Sequence, residues 1–278
     1  MRHHILLPTD FSDNAMSAAL YAINLYKNES CTFYFLHAWS FSNSSTRTYI
    51  SSTYIDKLET AAKQQLVELQ EQYQKDSGNA DHNFEIVFST EPLVKTIEEA
   101  VKAYPVNFIV MGTNGASGAS KFLFGSNAVG VINKIKSCPI LVIPSDYKFV
   151  KTDRIAFPTD FNRMYGEEIE PIKQFAKLHN AKISVFHISK GDDLSEKQDN
   201  NLALLKSSLE NFEHSFHWMS DSGSKESAIK DFILDYDINL LVMINYEHSF
   251  VERITREPIV KNIGFHPIIP FLVVPCIN

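Results

Sequence analysis

The densest chemistry in the chain lies between Gly112 and Asn127, where Gly112, Gly115, Gly118 and Gly125 fall within fourteen residues, directly after the apolar run Phe108-Ile109-Val110-Met111. Glycine admits positive φ and close backbone approach, so such a run at the end of a buried-strand pattern marks a loop that wraps something. Gly125-Ser126 then opens an apolar-periodic stretch through Ala128, Val131, Ile132 and Ile135, which delivers the loop to the start of a helix. The leading N–H groups there have no intrahelical acceptor and the helix dipole favours negative charge, which makes a place for phosphate. Neither Gly-x-Gly-x-x-Gly nor the Gly-Lys-Ser/Thr of a Walker A loop occurs in it. What stands is Gly112-x2-Gly115-x9-Gly125-Ser126, and a glycine-rich loop that only turns a corner remains the alternative.

Other chemistries find no footing. Cys31, Cys138 and Cys276 are widely spaced, with no Cys-x-x-Cys and no histidine at ligand spacing, so they read as small buried hydrophobes rather than a disulfide or zinc framework. His3-His4 reads as a solvated strand start. The 26 Lys+Arg against 33 Asp+Glu give a net charge of −7 with no basic stripe, which disfavours nucleic acid as a partner. The start of the chain lacks the apolar core and cleavage pattern of a signal peptide, and no apolar run is long enough to span a bilayer, so no membrane partner and a cytoplasmic location are expected. No nucleophile paired with a base, and no general base aimed at a phosphate, is visible; a slow ATPase is the most catalysis these residues suggest.

The elements that must position the loop repeat along the chain. Ile5-Leu6-Leu7-Pro8-Thr9-Asp10-Phe11-Ser12 recurs as Ile155-Ala156-Phe157-Pro158-Thr159-Asp160-Phe161-Asn162, and Phe33–His37 recurs as Ile183–His187, at one common offset of 150 residues. Phe108–Met111 matches Leu240–Met243 at an offset of 132, so the second copy is shorter between its strands. In copy one, helical patterns cover about Asp13–Tyr26, Tyr54–Asp76, Pro92–Tyr104 and Asn127–Ser137, with Ile55, Leu58, Ala62, Leu66 and Leu69 forming one face of the second. Continuous apolar strands alternating with amphipathic helices imply an α/β fold of two tandem doubly wound parallel-sheet domains, residues 1–146 and 147–278, joined near Ser145–Thr152. In such sheets ligands sit beyond the C-terminal strand ends where the winding reverses, which draws Pro8-Thr9-Asp10, His37-Ala38, Met111-Gly112 and the glycine loop to one crevice.

Pro-Thr-Asp-Phe-Ser after strand one, His37 after strand two and the glycine motif after strand four together resemble a universal stress protein domain, and nearly the whole chain resembles a tandem pair of them. The resemblance implies an adenine nucleotide, ATP above all, in the first crevice. Pro8 and Asp10 would lie by the base and ribose, Ala38 and Met111 would line the base pocket, Gly112 and Gly115 would pass under the ribose and α-phosphate, and Gly125, Ser126 and Asn127 would meet the outer phosphates. Mg²⁺ or Mn²⁺ would bridge the phosphates, with Asp10 as a further oxygen ligand. Lys121 reads equally well as a charge partner or a solvated loop lysine.

Copy two departs where it matters: Ile244 to Pro258 contains no glycine, and Glu247, Glu252 and Glu257 would repel a triphosphate, so it is expected to be a degenerate copy. His37 and His187 are read as hydrogen-bonded packing residues, and Asp10 and Asp160 as residues that could cap the first helix of each copy. The resemblance thus implies a stress-responsive nucleotide sensor or regulatory module; the alternative is a tandem interaction module that uses no nucleotide. Unknown protein partners are expected in either case. The last strands, Ile140–Ile143 and Phe271–Val274, are apolar on both faces and bracketed by prolines, so they are expected to pair as an intramolecular pseudo-dimer, with a homodimer of whole chains left open.

Overall fold

The computed structural model describes residues 2–39, 52–113, 125–189, 193–220, 225–246 and 268–276. The chain divides into two compact units, Met1–Asp146 and Tyr147–Asn278.

The first unit runs β1 (His3–Pro8), α1 (Asp13–Leu25), β2 (Cys31–Ala38), α2 (Ser52–Asp76), β3 (His82–Ser89), α3 (Leu93–Ala103), β4 (Phe108–Gly112), α4 (Ser126–Lys134) and β5 (Ile140–Ile143). Its strands lie in the order β3-β2-β1-β4-β5, every described pair parallel. β4 and β5 are buried throughout and β1 over its last four residues, as expected of strands covered on both faces. The winding runs outward from β1 to β3 and returns to β4 on the other side, so the strand ends part between β1 and β4.

α1 opens on Ser12, whose hydroxyl accepts from the Ala15 N–H, and its buried face is largely alanine: Ala15, Ala18, Ala19 and Ala22. Small side chains let this helix lie close to the sheet. α4 stops at Lys134, short of the Ser137 expected from the apolar period, with Ile135 already extended. In α2 the face predicted from sequence is buried only in its second half, at Leu66, Leu69 and Tyr73, while Leu58 is exposed. Length explains this: 25 helical residues reach about 37 Å, whereas the eight residues of β3 reach only about 26 Å, so the start of the helix overhangs the sheet.

The second unit repeats the scheme with β6 (Arg154–Pro158), a 3-10 turn (Glu167–Ile169), α5 (Glu170–His179), β7 (Lys182–Ser189), α6 (Glu196–Ser208), β8 (His214–Ser220), α7 (Lys225–Asp235), β9 (Leu240–Asn245) and β10 (Phe271–Pro275). The order is β8-β7-β6-β9-β10, again with parallel pairs. Ile5 pairs Phe108 in the first sheet and Ile155 pairs Leu240 in the second, so the two sequence offsets are also structural equivalences.

His179, at the end of α5, is buried beside Phe175 and its Nε2 has no hydrogen-bond partner among the described residues. Burial first, and Lys151 second, push its pKa from 6.5 down to about 4. The unfolded chain therefore takes up this proton near pH 6.5 while the folded chain resists it until about pH 4. Its contribution to stability is complete above the higher value and is lost as pH falls through that window. Urea unfolding at pH 4.5 should show the second unit about 2–3 kcal/mol less stable than at pH 7 on this account. His179→Leu should remove that part of the acid sensitivity; an unchanged pH dependence in the variant would contradict it.

Candidate functional site

Beyond the parted ends of β1 and β4 the first unit holds a crevice, open to solvent and lined by Pro8, Thr9, Asp10, Ala15, His37, Ala38, Leu93, Met111, Gly112, Thr113, Asn127 and Ala128. Its lining combines apolar side chains, Ala38, Leu93 and Met111, with polar ones, Thr9, Asp10, Thr113 and Asn127.

The first turns of three helices open on it, through Ala15 of α1, Leu93 of α3 and Asn127 of α4. Ser12 caps α1, but Pro92 and Gly125, at the N-caps of α3 and α4, supply no side-chain cap bond. Leading amides of α3 and α4 therefore remain for an anion or for solvent, and both dipoles favour negative charge there. The glycine loop is pinned at its ends: the Gly125 N–H donates to the Thr113 carbonyl at 2.6 Å, and Thr113 N–H donates to Ile143 O at 3.0 Å.

Of the residues predicted from sequence, Pro8, Asp10, Ala38, Met111, Gly112 and Asn127 meet around this one crevice, and Gly125 and Ser126 sit at the mouth of α4. Gly115 and Lys121 lie outside the described residues. Thr9 and His37, drawn to the crevice by their strand ends, line it as expected, and Ala15, Leu93, Thr113 and Ala128 line it without having been singled out. Leu93 is the instructive omission, because only the fold brings the start of α3 to this point, although Pro92 signals a helix start in the sequence.

Two glycine and aspartate positions have a local explanation as well. A Cβ on Gly112 would stand 2.5 Å from Asn14 Nδ2 and 3.1 Å from the Asn14 carbonyl oxygen, so this glycine lets α1 pack against the end of β4. Asp10 does not cap α1, which is the work of Ser12. Its Oδ1 instead accepts from the Ser12 N–H at 3.2 Å and the Ser12 hydroxyl at 2.5 Å, while the Thr9 hydroxyl oxygen accepts from the Phe11 N–H at 3.0 Å. These bonds hold Phe11 at a φ of 63°, a left-handed conformation that costs an aromatic residue roughly 1–2 kcal/mol.

The second unit builds the same turn, with Phe161 at a φ of 55°, Thr159 Oγ1 accepting from its N–H and Asp160 Oδ1 accepting from the Asn162 N–H. A shared turn explains why Thr-Asp-Phe occurs in both copies. In each, the second-strand histidine donates from Nδ1 to the threonine carbonyl, His37 to Thr9 at 2.7 Å and His187 to Thr159 at 2.8 Å. A carbonyl can only accept, so in the neutral ring Nε2 is left as an acceptor. His187 is buried, whereas His37 is half-exposed and lines the crevice.

Burial pushes the thiols of Cys31 and Cys138 up to about 12, which keeps them protonated and unreactive. Cys276 differs from the buried hydrophobe expected of it: it is half-buried, with Sγ 3.0 Å from Arg163 Nη2. Among the described residues no cluster of three His, Cys, Asp or Glu is arranged to hold a metal, and no helix is long and apolar enough to cross a membrane. Glu247, Glu252 and Glu257 lie outside the described residues.

Compared with known proteins, residues 1–144 match the model of the Universal stress protein family. No curated protein matches the chain. Among solved structures, a universal stress protein from Archaeoglobus fulgidus is similar at 21% identity and a TM-score of 0.73, covering 98% of this chain and 96% of that one. A functionally unknown protein from Pseudomonas aeruginosa, 12% identical, has a TM-score of 0.57 over 98% of this chain and 92% of its own. The cytoplasmic domain of a prokaryotic cation chloride cotransporter, 9% identical, has a TM-score of 0.54 over 98% of this chain and 95% of its own. At these identities the likeness is one of fold, and the fold alone serves more than one function.

Proposed function

Because the chain belongs to the universal stress protein family, we propose that its first unit binds one adenine nucleotide, ATP foremost, as a cytoplasmic sensor or regulatory module in a stress response without strong catalysis. The observation that carries this reading is the crevice that joins the apolar Ala38, Leu93 and Met111 to Asn127 at the start of α4, whose N-cap Gly125 supplies no side-chain bond. A base would lie against Ala38, Leu93 and Met111, and phosphates would reach Gly125, Ser126 and Asn127. Asp10 is already tied to Ser12, so Mg²⁺ or Mn²⁺ would be held chiefly by phosphate oxygens, with one carboxylate at most in support.

The alternative, an interaction module that uses no nucleotide, draws its support from the same details: Gly112 and Asp10 each have a structural task that needs no ligand. Calorimetric titration with ATP separates the two. One site per chain is expected, strengthened by Mg²⁺ and weakened by a chelator; no heat of binding, or two equivalent sites, would overturn the proposal. Affinity that ignores the chelator would argue for a mononucleotide or for no metal role, and mass spectrometry of ligand released from purified protein would identify the nucleotide.

From the sequence we also propose the intramolecular pseudo-dimer, because Ile140–Ile143 and Phe271–Pro275 each close one side of the strand order of their own unit with apolar residues on both faces. Val142→Asp should then raise binding of a hydrophobic dye; an unchanged dye signal in a folded variant would count against it.

A further inference from the structure

The second unit keeps the turn after β6 but joins it to its first helix by a longer connection. α1 begins at Asp13, three residues after Asp10, whereas α5 begins at Glu170, ten after Asp160. In between, residues 162–169 form a strap across the strand ends. In sequence the offset of 150 aligns Tyr165 with Ala15, which lines the first crevice, and Met164 with Asn14, but Ala15 and Asn14 belong to α1 whereas Tyr165 and Met164 belong to the strap. The offset of 132 sets Ile244 at the position of Gly112. Ile244 is buried and Met164 is exposed, so the side chain that excludes a Cβ in the first unit has left the sheet in the second.

An aromatic ring of the strap lies against the end of β6. Tyr165 donates to or accepts from the Thr159 hydroxyl at 2.7 Å, and its ring meets Phe157 edge-on at 5.2 Å. Tyr165 is half-buried as a residue, and desolvation holds its phenol above the usual tyrosine range. The strap is tied down on both sides of the ring. Arg163 pairs with Glu168, itself buried, at 3.2 Å, reaches Cys276 Sγ at 3.0 Å and covers the Tyr246 ring at 4.8 Å. Glu168 also accepts from the Gly166 N–H at 2.9 Å. From the other side, Gln198 and Asn201 of α6 donate to the carbonyls of Asp160 and Phe161, each at 2.8 Å.

We infer that the second unit retains a pocket for a planar aromatic group at the crevice position, and that the chain fills it itself with Tyr165. The pocket accepts a phenol-sized ring with one hydroxyl opposite Thr159. It is a site with an internal occupant, which makes the second unit unresponsive to the ligand of the first for a reason separate from its missing glycines, and this holds whether or not the first crevice takes a nucleotide.

Two measurements test it. Nitration of the unaltered chain with tetranitromethane, mapped by mass spectrometry, should modify Tyr165 at least about tenfold more slowly than the exposed Tyr54 and Tyr236. Arg163→Ala, which unties the strap, should bring the Tyr165 rate toward theirs. Tyr165→Ala should lower the thermal midpoint, and millimolar p-cresol, the deleted side chain, should raise it again in the variant and leave the unaltered chain unmoved. Nitration of Tyr165 as fast as Tyr54 overturns the inference, as does a cresol effect that is absent from the variant or equal in both proteins. If Tyr165→Ala does not fold, the nitration rates on the unaltered chain decide the matter by themselves.

Discussion

Gly125→Asp should weaken ATP binding at least tenfold while leaving the protein as stable as before or slightly more so. Gly125 has φ −65° and ψ 158°, extended backbone that any residue adopts, and it supplies no cap to α4. An aspartate there would accept from the second or third amide of the helix and stabilise it by a few tenths of a kcal/mol relative to glycine. The same carboxylate would occupy the amides proposed for the outer phosphates and repel them, and a tenfold loss corresponds to about 1.4 kcal/mol. Adenosine, which carries no phosphate, should bind the variant as it binds the parent. Gly125→Ser, a cap without charge, should fall between the two for ATP. Titrations in which ATP and adenosine lose affinity together would show that this end of the crevice does not hold phosphate.

Much of the frame is legible in the sequence because its signals are local. Short apolar runs such as Phe108–Met111, followed at once by the glycine loop, read as strands buried on both faces, and the recurrence of Ile5–Ser12 and Phe33–His37 at one offset is enough to declare the repeat. The helices of the first copy agree with their periods to within a residue or two, except where Ile135 leaves α4 early. What the sequence does not carry is mutual distance. Nothing in Asn14 announces that it lies against Gly112, so the glycine reads as a ligand contact until the helix is seen packed on it. The left-handed φ of Phe11 and Phe161 is hidden for a similar reason, since an aromatic residue is a poor marker of that conformation and only the bonds to Thr9, Asp10 and their counterparts impose it. Tyr165 illustrates the limit most fully: a tyrosine replacing an alanine reads as divergence when the two copies are aligned, and its meaning appears only with the bond to Thr159.

Gly112→Ala is the substitution expected to cost the first unit most stability for the least change in mass. The added methyl carbon would stand 2.5 Å from Asn14 Nδ2 and 2.8 Å from Asn14 Cγ, so the Asn14 side chain must turn away, and it would press at 3.1 Å on the Asn14 carbonyl, which is backbone of a first turn fixed by Ser12. Overpacking of this kind costs about 1–3 kcal/mol, partly offset by the roughly 0.4–1 kcal/mol that alanine gains over glycine through the unfolded chain. For a unit of this size the net loss lowers the thermal midpoint by roughly 2–8 °C. Asn14→Ala removes the nearer clash and leaves only the 3.1 Å approach to the Asn14 carbonyl, so Gly112→Ala should cost at most about half as much in that background. A neutral Gly112→Ala, or equal costs in both backgrounds, would return this glycine to the ligand. The contrast with Gly125 is then informative: at Gly112 binding and stability should fall together, whereas at Gly125 they should part, because one glycine serves the packing of α1 on β4 and the other leaves the start of α4 open.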